Sequence, residues 1–202
     1  QIMAKVPSLK RAKLVAAGGM GDKIAKTFPE KFPGVPYYND FNEMMSKHEV
    51  DLVCLCWYPR DEQYRMTLDC LKKGINVLAD KPMAQSMEEL AELKKAVKSS
   101  GKLLRTITHM PFMPPFYGMS RIVASGVLGE IIHIYCLKSY PYFDSRPQDR
   151  KVDGGLIAQA GIHAVSLIRF FTKLEPTEVY AQDTGAGNPK KGNLQMAASF
   201  TM

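Results

Sequence analysis

Short apolar runs alternate with amphipathic stretches over the first 110 residues, and this alternation limits the folds open to the chain. Residues 50–57 are apolar at both alternating sets of positions, which is typical of a parallel strand covered by helices on both faces. Further strands are predicted at 76–79 and 102–107, each after a helical pattern that ends at a glycine. This β-α-β-α-β order predicts a Rossmann-like, doubly wound parallel sheet.

The residues before this region predict smaller elements of the same kind. We expect a strand at 13–17, a helix at 22–32 that breaks near Pro29, and an extended segment at 35–38. Asp40 is predicted to cap a helix that runs to about Lys47, because Glu43 follows it at the spacing of a capping box. Ser86 and Glu89 repeat that spacing at the start of a helix that Gly101 ends.

The pattern changes after residue 110. A proline-rich link at 110–115 leads to a helix that ends near Ala124, followed by a strand at 131–139, a polar loop at 140–153 and a helix at 160–171. Strands are predicted at 178–182 and 195–201. We therefore predict two domains: the doubly wound α/β domain over 1–112 and the start of an α+β domain, with a mainly antiparallel sheet, over 113–202.

Composition argues against several classes of protein. The net charge of +7 comes from 27 basic and 20 acidic residues that do not cluster, so we expect no nucleic-acid partner. No apolar run comes near the roughly 20 residues of a membrane-spanning helix, so we expect no membrane span. The four cysteines form no C-x-x-C pair, which predicts no metal site and buried thiols in a reducing, cytoplasmic compartment.

Parallel sheets bind ligands at the carboxyl ends of their strands, and Asp80-Lys81-Pro82 stands at one such end. A lysine there can hold a substrate oxygen or act as an acid if burial lowers its pKa, and Pro82 can carry a cis bond. The residues alone leave a second reading open, in which the tripeptide is a surface turn with a solvated lysine.

Two histidines are candidates for proton transfer or substrate binding. His163 is predicted near the start of a helix, after Gly161, which allows close approach to the backbone. His109 ends a strand at the same sheet edge. A core histidine bonded to backbone remains the alternative for each of them.

The sequence resembles the glucose–fructose oxidoreductase, inositol dehydrogenase and MocA family in four passages that occur in the family's order: HEVDLVCLCWYP, LKKGINVLADKPMA, SGVLGEI and GGLIAQAGIHAVSLIRFF. The resemblance implies hydride transfer between NAD(P) and a sugar, cyclitol or similar polyol, in a homo-oligomer. It implies that Lys81 binds cofactor and substrate and that His163 assists proton transfer, with Gln159 as the third catalytic residue. The implied cofactor-binding residues are Gly18, Gly19, Trp57, Tyr58, Pro59, Gln63, Asp80, Lys81, Pro82 and His109.

This chain differs from the family at the glycine loop that binds the pyrophosphate of the cofactor. The resemblance places residues 13–18 at the family's second strand, so that the first strand and its loop are expected to be missing. Gly18-Gly19 then replaces the acidic residue that binds the adenosine ribose, which slightly favours NADP over NAD. A rival register reads residues 16–21 as A-x-G-x-x-G, with Asp40 in the acidic position. We also expect the second domain to stop before its later strands.

The proton-transfer residues depart from the family as well. Gln159 stands where the family has an aspartate, and an amide does not accept a proton at neutral pH. Gln63 replaces a histidine. The proton would then leave through His163 alone or through Tyr142. These changes keep an alternative function open, in which the protein is a catalytically impaired ligand-binding or regulatory member of the family.

Overall fold

The structure is a computed structural model of the 202-residue chain, and it describes residues 3, 5–139, 146–190 and 196–201. The chain divides into two compact units, residues 1–52 and 53–202. The strands of the described residues form one two-stranded parallel sheet, one three-stranded sheet and one two-stranded antiparallel sheet. The predicted boundary at 112/113 differs from this division and stays a prediction.

After a 3₁₀ turn (Val6–Ser8), the first unit contains two short parallel strands and two α-helices. They are β1 (Ala17–Gly18), α1 (Asp22–Lys31), β2 (Tyr37–Tyr38) and α2 (Phe41–Lys47). Phe28 of α1 is 1% exposed, and its ring lies 4.9 Å from that of Phe32 and 5.3 Å from that of Tyr37. The predicted cap is confirmed, because the amide of Glu43 donates to the Oδ1 atom of Asp40 over 2.6 Å.

Helix α1 runs through Pro29, so the predicted break is wrong. A proline removes one backbone donor from a helix, but the hydrogen bond from Phe32 to the carbonyl of Phe28 continues the helical pattern beyond it. The buried aromatic contacts of Phe28 hold this turn in place.

The α/β region from Leu52 to Thr106 follows the predicted order. It consists of β3 (Leu52–Leu55), α3 (Arg60–Lys72), β4 (Asn76–Ala79), α4 (Met87–Ser100) and β5 (Leu104–Thr106). Strand β4 lies between β3 and β5, and it pairs with β5 in parallel from Val77–Leu104 to Ala79–Thr106. Gly101 ends α4 with a φ of 65°. The predicted fold class is confirmed.

Strand β3 buries one face only. Val53 and Leu55 are buried, whereas Leu52, Cys54 and Cys56 are exposed. The prediction of a strand covered on both faces, and of buried Cys54 and Cys56, is therefore wrong. An apolar sequence is compatible with both arrangements, because it does not show whether a neighbouring element covers the second face. All four cysteines are free, and Cys70 is the buried one.

The remaining elements are mainly helical. A 3₁₀ turn (Met110–Phe112) leads to α5 (Pro114–Ala124), and α6 (Arg150–Asp153) is followed by a π-helical turn (Ile157–Gly161) and α7 (Ile162–Thr172). Strands β6 (Tyr180–Thr184) and β7 (Ala197–Thr201) pair in antiparallel fashion.

Residues 131–139 form no strand, contrary to the prediction. A strand needs a hydrogen-bonded neighbour, and the described residues provide none for this segment. Its large side chains are exposed instead, with Ile132 at 91% and Tyr135 at 81%.

The helical run from Lys151 to Thr172 has 22 residues and is long and apolar enough to pass a test for a membrane span. This differs from the expectation that the chain has no apolar run of this length, and the criterion uses length and composition alone. Only 28% of its most apolar 18-residue stretch is buried, but α7 packs against α5 and the run carries the buried polar residues Asp153 and His163.

The contribution of the core between α3 and α4 to stability can be tested at Leu71. Leu71 has no exposed surface, so Leu71→Ala should lower the free energy of unfolding by about 2–5 kcal/mol through lost burial and a cavity. Leu103, with 59% of its surface exposed, is the matched control, and Leu103→Ala should change stability by less than about 0.5 kcal/mol. Urea unfolding followed by circular dichroism measures both, and equal losses would contradict the described core.

Candidate active site

The centre of the site is formed by the two loops that follow β3 and β4. The amide of Asp80 donates to the carbonyl of Leu55 over 2.7 Å, so the two strand ends lie side by side. Each loop has a cis peptide bond, at Tyr58–Pro59 and at Lys81–Pro82. This edge is the carboxyl edge of the sheet, where parallel sheets bind their ligands.

Gln63, in the first turns of α3, joins the two loops. Its Oε1 atom accepts from the amide of Trp57 over 3.0 Å and from Nη1 of Arg60 over 2.8 Å. Its Nε2 atom donates to the carbonyls of Asp80 and Pro82 over 2.8 and 3.3 Å. The side chain has no exposed surface, and its amide has used its donors and acceptors. This burial does not support the predicted direct contact between Gln63 and a cofactor.

Arg60 is a buried charge at the start of α3, and the sequence analysis did not name it. It is 1% exposed, and its Nη2 atom donates to Oδ2 of Asp80 over 2.7 Å. Its guanidinium carbon also lies 4.1 Å from the centroid of the exposed Tyr58 ring. A cation in the first turn of a helix opposes the helix dipole, and this unusual position was the signal available in the sequence.

Lys81 reaches from the β4 loop to the segment before α7. Its Nζ atom donates to Oε1 of Gln159, and Nε2 of Gln159 donates to the carbonyl oxygen of Asp153. The structure thus brings together two of the predicted catalytic residues, which are 78 positions apart in the sequence. The amide of Gln159 is fixed with its oxygen towards the ammonium group.

The Gly154-Gly155 pair allows the segment before α7 to come close to the Lys81–Pro82 loop. Gly154 has a φ of 89°, and a Cβ atom at that position would lie 2.7 Å from Cγ of Pro82. The Asp153 side chain, buried beside it, accepts from the amide of Gly155 over 2.8 Å, and Nη2 of Arg146 lies 3.9 Å from its other oxygen. The Gly-Gly step therefore places Asp153 and Gln159 against the Lys81–Pro82 loop.

His163 lies at the start of α7, directly after the π-helical turn, and is 3% exposed. Its Nδ1 atom is buried without a hydrogen-bond partner among the described residues, which does not fit a core histidine bonded to backbone through that atom. Burial lowers the pKa of His163 to about 4, with further lowering by Lys81, His109 and Lys138, although Asp80 acts in the opposite direction. The imidazole is therefore neutral at pH 7 and able to accept a proton.

His109 is exposed and lies next to His163. The two ring centroids are 5.8 Å apart with an interplanar angle of 70°. The structure thus brings the second predicted histidine to the same cluster, and its role in cofactor binding stays a prediction.

The pKa of the half-buried Lys81 is lowered, first because burial disfavours the charged amine. Asp80 and Asp153 raise this pKa, and Arg60 and Arg146 lower it. The lowered pKa fits the expectation that a lysine here can act as an acid.

The predicted glycines belong to the first unit. A Cβ atom on Gly18 would lie 2.3 Å from the carbonyl oxygen of Tyr38, so the neighbouring strand fills the space next to this glycine. A side chain at this position would therefore clash with the neighbouring strand, which explains a glycine here without a ligand, and the choice between the two registers stays a prediction. Gly19 has a φ of 71°, a backbone conformation that favours glycine. Binding of a cofactor by Gly18 and Gly19 stays a prediction.

An apolar cavity of about 380 Å³ adjoins the cluster. Its lining includes Pro82 and Ile162, the sequence neighbours of Lys81 and His163, together with Met83 and Leu90. Lys81 and His163 themselves do not line it. No group of three His, Cys, Asp or Glu side chains within the described ranges is arranged to hold a metal ion.

The site thus contains predicted residues and three that sequence reasoning missed. Lys81, Gln159, His163 and His109 come together, and Trp57, Tyr58, Pro59, Asp80 and Pro82 belong to the loops beside them. Arg60, Asp153 and Arg146 were missed, because pairing of buried charges depends on contacts between distant segments. Tyr142, the other candidate route for the proton, lies outside the described residues.

Models of two protein families match the chain. Residues 3–108 match the model described as an oxidoreductase family with an NAD-binding Rossmann fold, and residues 116–202 match the GFO/IDH/MocA C-terminal domain. The chain belongs to the GFO/IDH/MocA oxidoreductase family. The resemblance inferred from the four sequence passages is therefore confirmed.

Relatives within this family include enzymes with named substrates. The 1,5-anhydro-D-fructose reductase of Ensifer adhaerens is 27% identical over 74% of this chain and 46% of the relative. The scyllo-inositol 2-dehydrogenase (NAD(+)) of Bacillus subtilis is 24% identical over 96% of this chain and 57% of the relative. The chain spans about half the length of the curated relatives it matches.

Solved structures of family members support the fold. The myo-inositol 2-dehydrogenase of Lactobacillus plantarum superposes with a TM-score of 0.78 at 21% identity, over 93% of this chain and 57% of that one. At this level of identity the similarity shows the fold alone.

Proposed function

We propose that the protein is an NAD(P)-dependent oxidoreductase that transfers a hydride between a nicotinamide cofactor and a sugar, cyclitol or similar polyol. The observation that carries the proposal is the contact between Lys81 and Gln159, beside a neutral His163, at the carboxyl edge of the sheet. Membership of an NAD-binding oxidoreductase family and relatives that are named for a sugar-derived substrate and a cyclitol support it.

The residues present fit the nicotinamide end of such a cofactor. Tyr58 offers an exposed ring, Lys81 offers a half-buried donor, and Nδ1 of His163 is a buried polar atom without a described partner. Asp80 and Gln63 hold the loops in place through their contacts with Arg60 and with the carbonyl of Asp80, and their own contact with a cofactor stays a prediction. The 202-residue sequence contains no G-x-G-x-x-G motif, so the fit does not extend to the pyrophosphate.

The cofactor, when bound, supplies the hydride acceptor or donor, and the protein supplies orientation and proton transfer. Lys81 holds the oxygen of the reacting carbon through its ammonium group. Gln159 keeps that ammonium in place, because its own amide is fixed by the carbonyl of Asp153. We assign to the uncharged His163 the acceptance of the hydroxyl proton during oxidation and its return during reduction, and because its low pKa makes it a weak base, the Lys81 ammonium has to make the hydroxyl more acidic.

A substitution of Gln159 tests its assignment as a positioning group. We expect Gln159→Asp to leave turnover at or below the native level, because aspartate is shorter than glutamine and has no N–H to donate to the carbonyl of Asp153. Gln182→Asp is the control, because Gln182 is exposed on β6. A clear rise in polyol oxidation by Gln159→Asp would show instead that a carboxylate base is the missing catalytic group.

Cofactor binding is tested by calorimetric titration of the protein with NADH and, separately, NADPH. We expect heat of binding with at least one of them, with NADPH slightly favoured because Gly18-Gly19 offers no carboxylate to the ribose. Absence of binding for both would contradict the proposal. The partners proposed with this function are a small polyol or sugar and further copies of the same chain.

A further inference from the structure

The Asp80 carboxylate interacts with two cations, with Arg60 through an ion pair and with Lys81 through its electrostatic effect on the amine. Lys81 follows Asp80 directly in the sequence, and the guanidinium of Arg60 holds the Oδ2 atom of Asp80 over 2.7 Å. The Arg60 side chain is fully buried, whereas 23% of the Asp80 side chain is exposed. The arginine is therefore the fixed partner, and the carboxylate is the group that would move if the pair were broken.

Arg60 is itself held by contacts on several sides. Its Nη1 atom donates to Oε1 of Gln63 over 2.8 Å and to the carbonyl of Trp57 over 3.3 Å, and the ring of Tyr58 lies against it. Such a guanidinium has a fixed direction, so it fixes the direction of the carboxylate that it binds.

We propose that Arg60 is a positioning residue that holds the Asp80 carboxylate away from the Lys81 ammonium, so that Lys81 stays directed to Gln159 and to the substrate. Without Arg60, the carboxylate would turn to the adjacent ammonium and form an ion pair with it. Lys81 would then be less available to a substrate oxygen, because an ammonium that is paired with a carboxylate has fewer donors free and stays charged to higher pH.

The charged groups around Lys81 are Asp80 from the loop after β4, Arg60 from the start of α3, and Asp153 and Arg146 from the segment before α7, and the neutral His163 of α7 also interacts with it. The Asp153 carboxylate already accepts from Gly155 and lies 3.9 Å from Arg146. Asp80 is thus the acidic group whose restraint depends on Arg60.

A double-mutant cycle tests the proposal without any cofactor. The variants are Arg60→Met, Asp80→Asn and the pair together, and Arg65→Met is the control because Arg65 lies on the same helix with 73% of its side chain exposed. Trace labelling with acetic anhydride at a series of pH values, read by mass spectrometry of the Lys81 peptide, gives the pH midpoint of the amine. This midpoint is independent of how easily the reagent reaches the lysine.

Arg60→Met should raise the Lys81 midpoint by about one pH unit, which lowers its labelling about tenfold at a fixed pH below the midpoint. In the Asp80→Asn background the same substitution should raise the midpoint clearly less, because only the charge of Arg60 is lost and no carboxylate is left to turn. Arg65→Met should behave like the native protein. An unchanged midpoint in Arg60→Met, or an equal shift in both backgrounds, would overturn the proposal, because an equal shift is the effect of charge loss alone.

Arg60→Lys covers the case in which the methionine variant fails to fold, as shown by circular dichroism. Lysine keeps the positive charge but lacks the planar guanidinium group that fixes the direction of a carboxylate. Arg60→Lys should therefore raise the Lys81 midpoint when Asp80 is present and leave it unchanged in the Asp80→Asn variant. The expected loss of turnover in Arg60→Met rests on the proposed function. The labelling result does not, so a midpoint shift without any measurable oxidation would count against the proposed function and not against the role of Arg60.

Discussion

Lys81→Met is expected to lower turnover of a polyol by about 10²–10⁴-fold, the range for loss of one proton-transfer or positioning group. The ammonium of Lys81 contacts Gln159 at the sheet edge, whereas its methylene stem has a close counterpart in methionine. The fold should therefore survive, and the loss should appear in kcat as well as in kcat/KM. Absorbance of the reduced nicotinamide measures the rate.

Lys95, exposed on α4, provides the control for this substitution. Lys95→Met should retain native turnover and a native melting temperature. If Lys81→Met oxidised the polyol at the native rate, Lys81 would not hold the reacting oxygen and the site would have to lie elsewhere.

His163 should give the second large effect, on both pH dependence and turnover. Its pKa in the folded protein is lowered to about 4 from 6.5. The folded state then binds fewer protons than the unfolded state between these values, so stability should fall as pH falls from 6.5 to 4. The contribution that is lost amounts to about 3 kcal/mol. His163→Gln should remove this part of the pH dependence and should lower turnover by about 10²-fold.

NMR titration of the histidine ring protons measures the pKa, and urea unfolding at pH 7 and pH 4.5 measures the stability difference. His133→Gln is the control, because His133 is exposed and should leave the difference between the two pH values unchanged. A His163 ring that titrates near 6.5 would contradict its burial beside Lys81 and its neutral state in catalysis.

The elements of the α/β region could be predicted because local signals agree with the fold. Helix α4 begins after Ser86 and ends at Gly101 as predicted, and β4 covers the predicted residues 76–79. Residues 131–139 show the limit, because their alternating pattern fits a strand but a strand also needs a neighbour. The exposed face of β3 shows the same limit. The sequence shows that its residues are apolar, but it does not show whether another element covers them.

The site could be predicted in its parts but not in its connections. Lys81 and His163 were found because a strand end and a family motif point to them. Arg60 was missed because its importance comes from burial against Asp80, twenty positions away in the sequence. The role of Gln63 was missed for the same reason. Its side chain joins two loops by bonding to the backbone of Trp57 and of Asp80, and these groups come together only in the folded chain.

Transfer of deuterium is the most direct test of the proposed reaction. The protein is incubated with NAD⁺ or NADP⁺ and a panel of cyclitols and aldoses deuterated at the carbon that carries the reacting hydroxyl, and the nicotinamide product is analysed by mass spectrometry. The proposed function predicts reduced nicotinamide that carries one deuterium from the substrate, and none with Lys81→Met. Absence of deuterium in the nicotinamide across the panel, from protein that binds the cofactor, would contradict hydride transfer at this site.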